Sequence, residues 1–290
     1  VIVFCLTYPS KLSYSHGPKK EFNQLKIEYQ RSAAQNLPNV LNQDAEKETV
    51  MLFRIEEEVF TMFPQFCRGI VVATGIDNSK QCPEIEIFLQ EQVETLRQDS
   101  NVEVATHPRL LAWKEAYRKF GVNPNKFTPS IVFLAKQVKA GKSVRSISPA
   151  VDAFNAISIK YLVPSGGDDM DSIEGDVTLG LAGSDETFAP IFKPNEIEHP
   201  VAGEVIYVNR RTKKVLCRRW NWRNADFSKI TPETKTIAIN VDGLSPTISR
   251  QEIEQAADEL GGLLLRNCGG EISFHLLDAQ NREIEQPLFQ

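Results

Sequence analysis

The chain has 290 residues, 41% hydrophobic and 24% charged, an ordinary globular balance and long enough to bury a core. Its net charge of −5 weighs against a generic nucleic-acid binder, so any contact with a polyanion must come from a local basic patch. No apolar run approaches the roughly 20 residues that span a bilayer, and the short apolar run at residues 1–6 lacks the basic flank of a secretory leader.

Residues 1–50 are rich in Ser, Asn, Gln and Lys and show little periodicity. They are expected to form a poorly ordered extension, with one domain over 51–290. The run from Phe66 to Ala73 predicts a buried strand that stops at Gly75. Helices follow. Ile85, Phe88, Leu89, Val93 and Leu96 share one side of a segment at 84–98. Leu110, Trp113, Tyr117 and Phe120 do the same over 107–120, and Gly121 ends that segment. Thr128-Pro129 and Ser148-Pro149 each read as a hydroxyl N-cap followed by proline at the first helical position. The second is expected to open a helix through about Leu162. Pro164-Ser165-Gly166-Gly167 predicts a turn. Strands are then expected at 176–182, 203–209, 215–222, 235–241 and 271–278. The second and third of these form a hairpin. A helix interrupts them, started by a Ser249/Glu252 capping box, carried by Ile253, Ala256, Ala257 and Leu260, and closed by Gly261-Gly262. This order predicts an α+β fold, with N-terminal helices packed on a mostly antiparallel, β-rich C-terminal half.

Cys5, Cys67, Cys82, Cys217 and Cys268 form no CxxC pair and no zinc spacing. An odd number of cysteines with no leader predicts reduced thiols in a cytoplasmic protein. Asp168, Asp169, Asp171, Glu174 and Asp176 could gather a divalent cation, but they do not match a calcium loop. The expectation is a solvated loop or capping aspartates, with no metal and no cofactor. His107 and His199 stand outside any nucleophile motif.

The strongest electrostatic feature is the hairpin. Arg210, Arg211, Lys213, Lys214, Arg218, Arg219 and Arg223 fall close together, with Trp220 and Trp222 interleaved. Guanidinium groups suit phosphates and an indole can stack on a base. In the preceding helix, Asp152 and Asn155 are three apart and share a face.

Two segments carry a family resemblance. Ser148-Pro149-Ala150-Val151-Asp152-Ala153-Phe154-Asn155-Ala156-Ile157-Ser158 resembles a pattern of the phenylalanyl-tRNA synthetase beta subunit, Asn-Pro-Val-Val-Asp-x-Thr-Asn-Tyr-Val. Trp220-Asn221-Trp222-Arg223-Asn224-Ala225-Asp226 and the upstream Gly121-Val122-Asn123-Pro124-Asn125-Lys126-Phe127 resemble stand-alone B3/B4 proteins. The resemblance implies a B3/B4-like editing module and a tRNA partner, with neither DNA nor membrane. It implies a trans-acting factor that hydrolyses misacylated aminoacyl-tRNA. A non-catalytic RNA-binding or adaptor module and a small-molecule amino-acid binding protein are the alternatives. Catalytic ligase motifs are absent. The residues implied are Asn155 and Asp226 for catalysis; Asp152, Gly166, Gly167, Trp222 and Arg223 for the substrate; and Arg210, Arg211, Lys213, Lys214 and Arg218 for RNA phosphates. The family's turn reads Pro-Leu-His-Ala-Phe-Asp, and its His is implicated in editing. Here that turn is Pro164-Ser165-Gly166-Gly167-Asp168-Asp169, without a His.

Overall fold

The structure, a computed structural model, describes residues 49–288; most of the expected N-terminal extension lies outside the described residues. Two sheets form the frame. Strands β1 (Thr49–Ile55), β4 (Asp176–Leu181), β5 (Val205–Asn209), β6 (Lys214–Arg218), β7 (Arg223–Asn224) and β10 (Glu283–Leu288) make a six-stranded sheet in the order β10-β1-β4-β5-β6-β7. Only β1 and β4 run parallel in it. Strands β2 (Phe66–Thr74), β3 (Ser165–Asp169), β8 (Ile237–Leu244) and β9 (Glu271–Leu277) make an antiparallel sheet in the order β3-β8-β2-β9. Helices α1 (Glu57–Met62), α2 (Pro83–Gln98), α3 (Pro108–Lys119), α4 (Ser130–Lys139), α5 (Pro149–Tyr161) and α6 (Arg250–Cys268) complete the α+β fold.

Period-two burial sorts the smaller sheet. Cys67, Val71, Ala73, Ile237, Ile239 and Val241 join the core beneath α5 and α6, while Phe66, Ile70, Val72, Ala238 and Leu244 join the larger core on the other face. Helix α6 lies close on the first face because two glycines admit it. A Cβ on Gly69 would sit 3.0 Å from Ala257 Cβ, and one on Gly243 would sit 2.5 Å from Ile253 Cγ1.

Several expectations need correction. Gly261 and Gly262 lie inside α6 rather than after it. At Gly261 the helix rests on Ile272, 3.1 Å from where a Cβ would be, so packing overrides the roughly 1 kcal/mol preference against glycine in a helix. The expected turn at Ser165-Gly166-Gly167 is strand β3, stabilised by pairing with β8. The strand expected over 215–222 stops at Arg218, because Arg219 and Trp220 take left-handed φ of 48° and 65°. The helix caps come from elsewhere in the chain. Neither Thr128 nor Ser148 caps a helix with its hydroxyl. The Ala150 N–H of α5 donates to Asn78 Oδ1 at 3.0 Å, and the Ser130 N–H of α4 donates to Asn221 Oδ1 at 3.1 Å. The Ser249/Glu252 capping box forms as read.

Candidate functional site

The two sheets face each other across a surface that is polar where an apolar core would be usual. On the smaller sheet, register places Arg68 opposite Asp242 and Gly166 opposite Asn240, and alternation puts Asp168 on the same face. Across the β5-β6-β7 sheet, Tyr207 lies opposite Cys217 and Cys217 opposite Asn224. These two rows, with Pro164, Ser165, Trp220 and Asn221, line a cleft of about 30 Å³. Arg68, Asp168, Asn240 and Asp242 are all buried.

Most of these groups are held firmly. Arg68 donates to both Asp242 oxygens, at 2.7 and 2.9 Å, and its guanidinium lies 4.9 Å from the Tyr207 ring centroid. The Trp220 indole N–H donates to Asp242 Oδ2 at 3.0 Å, and the Tyr207 hydroxyl donates to Asn240 Oδ1 at 3.4 Å. Trp220 is locked edge-on against Phe63, Phe66 and Trp113 at centroid distances of 4.9–5.0 Å.

Two groups, Asp168 and Asn221, carry the cleft's chemical potential. Burial pushes the Asp168 carboxyl up to about 6, against a 2.7 Å hydrogen bond from Ser228 Oγ and the charge of Arg68, which both lower it. Asn221 Nδ2 is buried with no protein partner; Ser165 Oγ is another such atom, but its position opposite Val241 turns it to the helix face of β3. Buried polar atoms are normally paired, so an orphan lining the same cleft as a buried carboxyl is what a polar ligand or water would complete. Cys217 cannot serve as a nucleophile, since burial pushes its thiol up to about 12.

Of the substrate residues implied by the resemblance, Gly166 alone lines this cleft. Gly167 faces the other way, where its Cβ would be 2.9 Å from Ile239 Cγ1. Asp152 accepts from Ser146 Oγ and Ile147 N–H at the start of α5 and lines a second cavity with Asn78 and Lys80. Asn155 and Asp226 are not brought together. Asn155 is fully buried in α5 with neither polar side-chain atom hydrogen-bonded, whereas Asp226 accepts from the Phe192 N–H and pairs with Lys229. Trp222 packs edge-on against Phe127 beneath the Arg219 guanidinium, and Arg223 pairs with Glu198.

The hairpin is less basic than its sequence reads. Arg218 is buried and held at 2.7 and 2.8 Å by Glu198 and Glu204, and Arg210 is held at 2.7 and 2.8 Å by Glu56 and Glu186. Arg211, Lys213 and Lys214 stay at the surface; the first two pair with Glu174 and Asp185. The acidic stretch also disperses. Asp169 caps the turn at Met170–Ser172, Asp171 accepts from the Lys235 and Thr236 N–H groups, and Asp176 accepts from those of Arg210 and Arg211. Among the described residues no three His, Cys, Asp or Glu side chains converge as metal ligands, and no helix is long and apolar enough to cross a membrane.

The residues that sequence reasoning missed are Arg68, Asp168, Asn240 and Asp242 as a set. For Arg68, Asn240 and Asp242 the signal was polar residues at alternate positions of strands that are otherwise apolar; Asp168 reads only as part of the acidic stretch.

No match was found among curated proteins. A similar solved structure is that of an N-terminal fragment of the phenylalanyl-tRNA synthetase beta-subunit from Pyrococcus horikoshii. It is 14% identical, with 77% of this chain and 50% of that chain covered and a TM-score of 0.40, so the chain spans half the length of that fragment. The family model of the B3/4 domain matches residues 112–269, more than half of the chain and a span that includes β3, β8 and the 219–222 turn of the cleft; the chain belongs to the B3/4 domain family.

Proposed function

We propose that residues 51–290 act as one B3/4-type module that hydrolyses the aminoacyl ester of misacylated tRNA in trans. The observation that carries this reading is Asp168, a buried carboxyl lifted to about 6, lining a cleft with the unpartnered Asn221 Nδ2. A base with that pKa is mostly ionised at neutral pH and still basic enough to take a proton from water. An aminoacyl ester is already activated, so positioning a water supplies much of the rate.

In this mechanism Asp168 takes a proton from water as the water oxygen bonds to the ester carbonyl carbon. The carbonyl π electrons move to oxygen, and the Asn221 Nδ2–H stabilises that charge. Collapse breaks the bond to the ribose oxygen, which takes the proton from Asp168 and leaves as the alcohol. The products are a free amino acid and a tRNA with its terminal hydroxyl restored. Asn155 and Asp226 take no part in these steps. Arg211, Lys213 and Lys214 contact tRNA phosphates, while Arg210 and Arg218 hold the fold. The reaction requires no metal or cofactor, and the protein acts in the cytoplasm.

A second reading, binding of a free amino acid without tRNA, is favoured by the internal ion pairs that neutralise Arg210 and Arg218. A panel of misacylated tRNAs separates the two. Hydrolysis above the spontaneous rate that disappears in Asp168→Asn supports the hydrolase. Ligand-dependent thermal stabilisation by free amino acids with no turnover of any ester supports the second reading.

A further inference from the structure

A second cavity, larger than the cleft, lies where two helices begin. Pro83 and Pro149 open α2 and α5, and the segments that lead into them, 78–82 and 146–148, wall a space of about 190 Å³. That is room for on the order of a dozen waters. Its frame is tied together by Asn78. The Asn78 amide donates to Ser148 Oγ at 3.3 Å and to the Thr231 carbonyl at 2.7 Å, and accepts from the Ala150 N–H at 3.0 Å.

Two carboxylates from the first turns of these helices, Asp152 and Glu86, line the cavity. Asp152 is 1% exposed, whereas Glu86 is at the surface. Each Asp152 oxygen accepts one hydrogen bond, from Ser146 Oγ or the Ile147 N–H, which leaves about half of a carboxylate's acceptor positions unused. Neither carboxylate has an ion-pair partner among the described residues. Lys80, the one cation among the described residues of the lining, is exposed and held by Asp77 at 2.8 Å. Burial raises the Asp152 carboxyl above its ordinary value and Glu86 adds to this, while the hydrogen bonds from Ser146 and Ile147 lower it; no cation contributes. The helix N-termini favour negative charge here without cancelling it. A charge buried this far ordinarily has a counter-charge, and inside this chain Asp152 has none.

A small cation with N–H donors supplies both the missing charge and the missing hydrogen bonds. A metal ion suits the site less, since no three ligating side chains converge among the described residues. An α-amino acid also suits it less, because its own carboxylate would face Asp152 and Glu86. We propose that this cavity binds a small aliphatic amine, with its ammonium group on Asp152 and with Glu86 drawing the second charge of a diamine. The site and its ligand are independent of the hydrolase reading above.

Titration calorimetry of the full chain with diaminobutane, butylamine, the neutral butanol and alanine tests it, in the parent and in Asp152→Asn and Glu86→Gln. Diaminobutane is expected to bind at least ~10-fold tighter than butanol or alanine, with butylamine between. Asp152→Asn, which keeps an acceptor for Ser146 and Ile147, weakens diaminobutane by at least ~10-fold. Glu86→Gln, at an exposed position, weakens it roughly 3-fold at an unchanged thermal midpoint. Should Asp152→Asn fail to fold, Glu86→Gln decides alone. No saturable binding of either amine overturns the proposal, as does butanol bound as tightly as diaminobutane. So does an affinity that either substitution leaves unchanged, which is what a dication held loosely on an acidic surface gives. Alanine bound as tightly as diaminobutane and equally lost in Asp152→Asn overturns the choice of ligand, and butylamine as tight as diaminobutane overturns the role of Glu86.

Discussion

Asp168 makes the cleft sensitive to pH at the level of a single residue. In the unfolded chain its carboxyl titrates near the ordinary value of about 4, and in the fold burial lifts it to about 6. Between those values the folded state holds more protons. Its contribution to stability is therefore fully present below the unfolded value, is lost as pH rises through the folded one, and stays constant above it. Replacing Asp168 by Asn, which keeps an acceptor for Ser228, should raise stability at pH 8 by on the order of 1–3 kcal/mol and change little at pH 4, as measured by urea unfolding at the two pH values. A larger effect at pH 4 would contradict this. Arg68 behaves in the opposite way. Arg68→Leu leaves the Asp242 charge buried without its partner and is expected to cost about 3–5 kcal/mol. Arg68 does not stand out in the sequence, and Asp168 reads there only as one of an acidic stretch. A charge inside an apolar strand reads as an edge position until a second strand supplies the opposite charge, and that pairing is a long-range fact. Gly166 was named for the company of its motif, and the structure puts it on the cleft wall.

The elements with a strong local period were legible: the strand at Phe66–Thr74 and helices α2, α3 and α5 fall close to where apolar spacing puts them. What failed was set by partners distant in sequence. Strand β3 looks like a turn because Ser-Gly-Gly carries no β-propensity, and β8 imposes the extended form. The Trp-Asn-Trp-Arg segment, read as a surface for bases, is a structural clasp. Trp220 fills the core, Asn221 accepts from the Ser130 N–H and the Tyr117 hydroxyl, and Trp222 packs on Phe127. Asn221→Ala is thus expected to cost about 1–2 kcal/mol, the loss of a helix cap, whereas Thr128→Ala should stay within about 0.5 kcal/mol. Thermal midpoints of the two variants check this, and a Thr128 effect equal to that of Asn221 would restore the local cap. Gly243→Ala should be destabilising by about 1–3 kcal/mol, since the new methyl meets Ile253 under α6.

For the whole molecule, charge distribution sets what the proposed tRNA contact would look like. The net charge is −5, and Arg210 and Arg218, two of the hairpin's strongest cations, are committed to carboxylates of the same chain. With Arg211, Lys213 and Lys214 as contacts, the logarithm of tRNA affinity should fall with the logarithm of salt concentration with a slope of only about −2 to −3. A filter-binding series across salt concentrations measures it, and a slope beyond about −5 would require a basic surface elsewhere. On the proposed reading the reaction occurs in the cleft between the two sheets, with the Asp168 carboxyl as its base. The pH–rate profile for hydrolysis of misacylated tRNA tests this most directly. The account predicts a rate that rises through about pH 6 to a plateau and is lost by at least ~100-fold in Asp168→Asn at every pH. A profile without that rise, or an Asp168→Asn enzyme as fast as the parent, would contradict it.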